Sequence, residues 1–317
     1  MRKLLLILNL GLVSCLYSQQ LHLNSNYMFN QFLVNPGAAG TCDKYIPVQV
    51  NFRKQWVGFP GSPTTQSASC HAEVQESFGL GGVLYNDNSG PSRRTGINIS
   101  GSYHLKLAND KTKMIGFGLG LGFSQHMIDI NKLDTYLPND PTVVKGYNNQ
   151  FVPDANFGVY YQWKLNSFVG FSAHNLAQSN RDLFDFEKNV TNPLVRTYYL
   201  TVGHNFLTQS DFIYKAAGLV QVIETGTVQF DLSTTAVYKN MYWFGLGYRH
   251  LDACYALAGV QIGHVKVGYA YDYTISQIGR YSSGSHEIFA ELQLYNTPGG
   301  PGGKRWWKRN KRVAPKI

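Results

Sequence analysis

The sequence predicts an all-β protein: a transmembrane outer-membrane β-barrel of about fourteen antiparallel strands, with a non-strand N-terminal segment and a basic C-terminal tail. Three observations carry this. The 317 residues include 32 glycines and 14% aromatics but only 15% charged residues, where soluble domains carry about a quarter charged. Segment after segment alternates apolar and polar residues with period two. Beyond the N-terminus no run reaches the roughly 18 consecutive apolar residues of a spanning helix, so any membrane crossing falls to strands.

Residues 1–18 read as a secretory signal: Arg2 and Lys3, an apolar run from Leu4 to Leu16 broken by Asn9 and Ser14, then a cut after Ser18. A competing reading places lipid on Cys15, after Leu12-Val13-Ser14. Residues 19–46 lack alternation and form a periplasmic or lumenal segment. In it Tyr27 to Val34 suits two helical turns that Asn35-Pro36 stops, and Gly37-Ala38-Ala39-Gly40 lets the backbone turn. The barrel occupies 47–295, with strands near 47–53, 64–72, 78–86, 94–106, 113–128, 149–163, 167–175, 195–206, 212–222, 226–238, 241–250, 254–262, 265–273 and 285–295.

The first strand sets Val48, Val50 and Phe52 against Gln49, Asn51 and Arg53, and Gly58-Phe59-Pro60-Gly61-Ser62-Pro63 turns it back. The fifth sets Ile115, Phe117, Leu119, Leu121 and Phe123 against Gly116, Gly118, Gly120 and Gly122, so its inner face has room for a neighbouring segment. The thirteenth sets Val265, Val267, Tyr269, Tyr271 and Tyr273 against Lys266, Gly268, Ala270 and Asp272. In the last, Ile288, Ala290, Leu292 and Leu294 oppose Glu287, Glu291 and Gln293.

A soluble sandwich alternates too, so the connections discriminate. If the chain starts in the periplasm, the even-to-odd connections are periplasmic, and these are short. The long ones, 129–148, 176–194 and 274–284, are odd-to-even. Short periplasmic turns and longer outer loops are the pattern of an outer-membrane barrel.

The formal net charge of +9 divides unevenly: the body between the signal and residue 303 is neutral, and the surplus lies in the signal and in the tail, 296–317. A glycine-proline spacer, 297–303, precedes Lys304, Arg305, Trp306, Trp307, Lys308, Arg309, Lys311 and Arg312, a periplasmic cationic stretch suited to an anionic surface or acidic groove. Arg53, Lys54, Gln55 and Trp56 form the other candidate contact, read either as a docking surface or as a bilayer-edge girdle with cations on lipid headgroups. Nucleic acid is excluded as a partner by compartment.

No cofactor, catalytic or metal constellation stands out. The nine histidines show no ligand spacing. Asp182, Asp185 and Glu187 fit no calcium loop, and the alternating glycines of the fifth strand lack the following helix of a nucleotide loop. Ser69 with His71, or Ser285 with His286, would be the pairs of a barrel hydrolase, the least supported function. Of the cysteines past the signal, Cys42 and Cys70 are the pair to consider for a disulfide, but Cys70 is expected opposite about Ile46.

Three stretches resemble the PorP/SprF family of type IX secretion system outer-membrane proteins. They are Tyr27-Met28-Phe29-Asn30 with Asn35-Pro36-Gly37-Ala38-Ala39-Gly40; Arg53-Lys54-Gln55-Trp56-Val57-Gly58-Phe59-Pro60-Gly61-Ser62-Pro63-Thr64-Thr65-Gln66-Ser67; and Gly79-Leu80-Gly81-Gly82 through Asn86-Asp87-Asn88-Ser89-Gly90-Pro91. The resemblance implies a non-enzymatic barrel of the secretion and gliding machinery that binds a large secreted surface protein such as an adhesin and works with periplasmic secretion components. The alternative is a porin or solute channel, which needs an open polar lumen.

Overall fold

A computed structural model describes residues 24–42, 45–107, 113–133, 149–163, 166–179 and 194–295. The signal with Cys15, the acidic residues of 182–187 and the basic tail lie outside the described residues. Fourteen strands form one closed antiparallel barrel in chain order, with β1 sealing against β14. The first seven are β1 (Tyr45–Lys54), β2 (Thr64–Gln75), β3 (Phe78–Ser89), β4 (Ser92–Lys106), β5 (Met114–Ile128), β6 (Asn149–Trp163) and β7 (Ser167–His174). The rest are β8 (Thr197–Leu207), β9 (Phe212–Ile223), β10 (Val228–Tyr238), β11 (Tyr242–Arg249), β12 (Ala253–Ile262), β13 (Val265–Thr274) and β14 (Ser285–Tyr295). Among the described residues no helix is long and apolar enough to cross a membrane.

The wall is built by alternation. In β5 the glycines are buried while Phe117, Leu119, Leu121 and Phe123 are exposed, Leu119 by 69%. Exposed Val267 and Tyr269 continue this apolar outer face on β13. Large side chains outside and small or polar ones inside suit a wall between lipid and a filled lumen.

Strands β2, β3 and β4 reach further than expected. Asp87 to Ser89 read as loop by composition, yet they pair residue for residue with β4 down to Ser89 and Ser92. The bonds of a strand need no apolar side chains once it leaves the lipid. There Thr65 donates to Asp87 at 2.7 Å, and Arg93 and Thr95 donate to Asn86 at 2.9 Å. Strand β1 begins at Tyr45 rather than 47, and Cys70 stands opposite Val48, not Ile46, because the first hairpin closes at Lys54 and Thr64. No disulfide joins Cys42 to Cys70, which is exposed on the outer face.

The two barrel mouths are unlike. At the near rim, where β1 begins and β14 ends, the connections are short. At the far rim the chain runs longer between strand ends, from β1 to β2, β5 to β6, β7 to β8 and β13 to β14, than at the tighter turns beside them.

The N-terminal segment lies inside the barrel. Residues 24–42 form three short 3-10 turns at Tyr27–Phe29, Gln31–Leu33 and Pro36–Ala38. Asn35 caps the last, accepting from the Gly37 amide at 2.8 Å, and Pro36 at its first position needs no donor. This turn lies on the glycine face of β5 and β6: a β-carbon at Gly116, Gly118 or Gly158 would overlap Gly37, Pro36 or Asn35. The room anticipated on the inner face of the fifth strand is therefore filled by the chain's own Asn-Pro-Gly-Ala-Ala-Gly.

Candidate functional site

The internal segment is fastened to the wall, and polar residues supply most of the fastenings. Asn35 reaches across two strands, donating to the carbonyls of Val159 at 2.9 Å and Phe171 at 3.1 Å. Ser172 donates to the Val34 carbonyl at 2.7 Å, and Ser102 to that of Ala39 at 2.6 Å. The Gly40 amide donates to His71 Nδ1 at 3.0 Å, and Asn30 donates to Ser69 at 2.8 Å. The proposed Ser69 and His71 pair thus divides its contacts between two points of the plug. Of the other pair, His286 instead shares a 2.6 Å hydrogen bond with Tyr269.

Nearer the far rim the plug is held by charge. Strand parity brings Arg53 of β1, Asp231 of β10, Arg249 of β11, Asp272 of β13 and Glu287 of β14 into the lumen, each no more than 2% exposed. Arg53 bridges Asp272 at 2.7 Å and Glu287 at 2.9 Å; Arg249 bridges Asp231 at 3.1 Å and Asp272 at 3.2 Å. Ser25 sits at their centre. Its hydroxyl donates to Asp272 and accepts from Arg53 and Arg249, both at 3.0 Å, while its amide donates to Glu287 at 2.8 Å. Asn26 adds a 2.9 Å bond to Glu287, and Tyr255 donates to Asp231 at 2.6 Å. Charges this buried are tolerable only when paired and hydrogen-bonded, and in this set each charge is paired, with Arg53 Nε left without a partner.

Apolar contacts complete the seat. Tyr27 packs with Tyr199, Ala217 and Leu219, and Phe29 lies 5.4 Å from the ring of Trp243 and 5.5 Å from that of Phe289. Such rings add packing area and ring-to-ring attraction in one place.

The sequence grouped Arg53, Lys54, Gln55 and Trp56 as one contact surface, and the structure separates them. Arg53 is 1% exposed and points inward, so it is an anchor for the plug and not a surface cation. The reason is parity: it shares a face with Gln49 and Asn51, both buried. Lys54 is tied to its own hairpin, donating to the Ser62 carbonyl at 3.0 Å and to Thr64 at 2.9 Å. The Gln55 amide extends the ladder to the Pro63 carbonyl at 2.9 Å. Trp56 takes a left-handed backbone, φ 45°, that side chains rarely adopt, and its amide donates to Ser285 at 3.1 Å.

That loop is locked to its neighbours. Val57 and residues 283 and 284 exchange backbone bonds at 2.8 Å, and the Gly90 amide donates to the Gly61 carbonyl at 2.8 Å. Half-buried Trp56 and Phe59, 40% exposed, therefore stand on a far rim whose loops brace one another.

Sequence reading missed Ser25, Asp231 and Arg249 altogether. It placed Asp272 and Glu287 on inner faces without pairing them with Arg53. The signal was there: a charge on the lumenal phase of a membrane strand needs a partner on another strand.

Several solved barrels are similar in outline. The CymD monoaromatic hydrocarbon channel is 14% identical with a TM-score of 0.49, over 87% of this chain and 94% of that one. The Ralstonia pickettii toluene transporter TbuX is 10% identical with a TM-score of 0.48, over 86% and 94%. The Acinetobacter baumannii outer membrane protein Omp33 is 8% identical with a TM-score of 0.46, over 79% and 98%. No curated protein matches the chain. The family model described as type IX secretion system membrane protein PorP/SprF matches residues 16–292. This chain therefore belongs to the PorP/SprF family, and is a type IX secretion outer-membrane barrel.

Proposed function

We propose that this barrel is a non-enzymatic platform of the type IX secretion and gliding machinery. It holds a large secreted surface protein at its far, outer rim and engages periplasmic secretion components at its near rim. The observation that carries the reading is the lumen itself: residues 24–42 lie inside the barrel, hydrogen-bonded at one level to buried, ion-paired side chains of the wall and seated at another on a glycine cradle. A barrel so filled suits docking better than diffusion. The braced loops bearing Trp56 and Phe59 supply an outer contact surface, with aromatic anchors of the kind interfaces favour.

The periplasmic contact is assigned to the tail, where Lys304, Arg305, Lys308, Arg309, Lys311 and Arg312 surround Trp306 and Trp307. The outer wall meets outer-membrane lipid. Affinity purification of the tagged protein from detergent-solubilised outer membranes, with mass spectrometry of what accompanies it, tests the reading. Co-recovery of a large surface protein or a periplasmic secretion component supports it; recovery of the barrel alone contradicts it. The porin reading gains its support only if the purified barrel also conducts steadily.

A further inference from the structure

The near mouth of the lumen carries a second charged cluster, which the fastening of the plug does not explain. Lys266 is the second residue of β13 and Lys215 the fourth of β9, so both stand close to the near rim. Register aligns Gln49 with Glu291, Glu291 with Lys266, and Lys266 with Gln261, one row across four strands. The Lys266 ammonium lies 4.1 Å from the ring centre of Phe29, 5.3 Å from that of Trp243 and 5.7 Å from that of Phe289. The Lys215 ammonium approaches the same Phe29 ring at 5.8 Å. Two cations thus converge on one plug residue.

Their compensation is incomplete. Glu291 is the carboxylate whose charge acts on both lysines, which also repel each other; the Cys42 thiol is the remaining titratable neighbour of Lys266. Among the described residues neither ammonium forms a salt bridge, while a Glu291 oxygen already accepts from Gln293 at 2.8 Å. Aromatic faces attract a cation but do not neutralise it. Further polar atoms go unused. Gln49, 3% exposed, buries both carboxamide atoms without a partner, and Trp243, 5% exposed, buries its indole N–H without an acceptor. Buried polar groups are normally satisfied, so orphans beside a cationic pair mark where an acceptor belongs.

We propose that this mouth binds a monocarboxylate with an apolar body. Two ammoniums against one carboxylate leave a single positive charge, which one carboxylate balances. The rings of Phe29, Trp243 and Phe289 offer the apolar wall beside it. Both lysine residues keep partial exposure at the near end of the lumen. The assignment does not depend on which protein the barrel carries.

The test is calorimetric titration of the detergent-solubilised full chain with hexanoate, with hexanamide of the same shape, and with inorganic phosphate. Hexanoate is expected to bind at least about tenfold more tightly than either control. Lys266→Met and Lys215→Met should each weaken hexanoate by about tenfold or more, Lys266→Arg should retain it, and Glu291→Gln, which removes the internal competitor, should tighten it. Each variant is first checked for the shifted gel mobility of an unheated, folded barrel. Equal binding of hexanoate and hexanamide, or unchanged binding in folded Lys266→Met, would overturn the site. Tighter binding of phosphate would overturn the carboxylate assignment.

Discussion

At the scale of the residue, Arg53 shows how position decides what a charge does. The same guanidinium on the opposite phase of β1 would reach lipid headgroups or a partner. On the phase of Gln49 and Asn51 it enters the lumen, where Asp272, Glu287 and Ser25 surround it. Removing one partner of a buried pair leaves the others uncompensated, so Arg53→Ala should cost about 3–5 kcal/mol in denaturant unfolding. Arg196→Ala breaks the solvent-exposed pair with Glu224 and should cost no more than about 1 kcal/mol. Equal losses in the two variants would show that the lumenal cluster does not carry the plug. The parity of Arg53 was legible in the sequence, since Val48, Val50 and Phe52 mark the outer face. Its partners were not, because nothing local to β1 says that β13 and β14 close the barrel beside it.

At the scale of the element, the plug and the strands beneath it specify one another. Gly116 and Gly118 leave β5 without inner side chains, and the Asn35 to Gly37 turn occupies the space. Gly118→Leu should therefore unseat the segment. Limited proteolysis would then cut within residues 24–42, which the wild-type wall protects. Gly82→Ala is the control, since its added carbon meets nothing closer than 3.8 Å. A plug still protected in a folded Gly118→Leu barrel would contradict this packing. The vacancy on the fifth strand could be read from the sequence, as could the strand count, because both follow from period-two alternation. The ends of β3 and β4 could not, since strands continue past the lipid on polar residues that composition assigns to loops. Nor could the seating of the plug, which rests on contacts between residues far apart in the chain, such as Asn35 with Phe171.

At the scale of the whole molecule, the two rims differ in what they gather. The near rim gathers both ends of the barrel chain, the plug's exit and the lysine cluster; the far rim gathers the long connections and the braced first hairpin. Deleting residues 304–317 should leave the barrel inserted and heat-modifiable while reducing recovery of periplasmic components by several-fold in pull-down. Undiminished recovery would remove the tail from the account. The central claim is that the barrel is filled by its own N-terminal segment and serves as a platform rather than a pore. Single-channel recording of the purified wild-type protein in a planar bilayer, beside a variant lacking residues 24–42, tests it most directly. The account expects a silent wild type and steady current from the deletion variant; a steady open conductance from the wild type would contradict it.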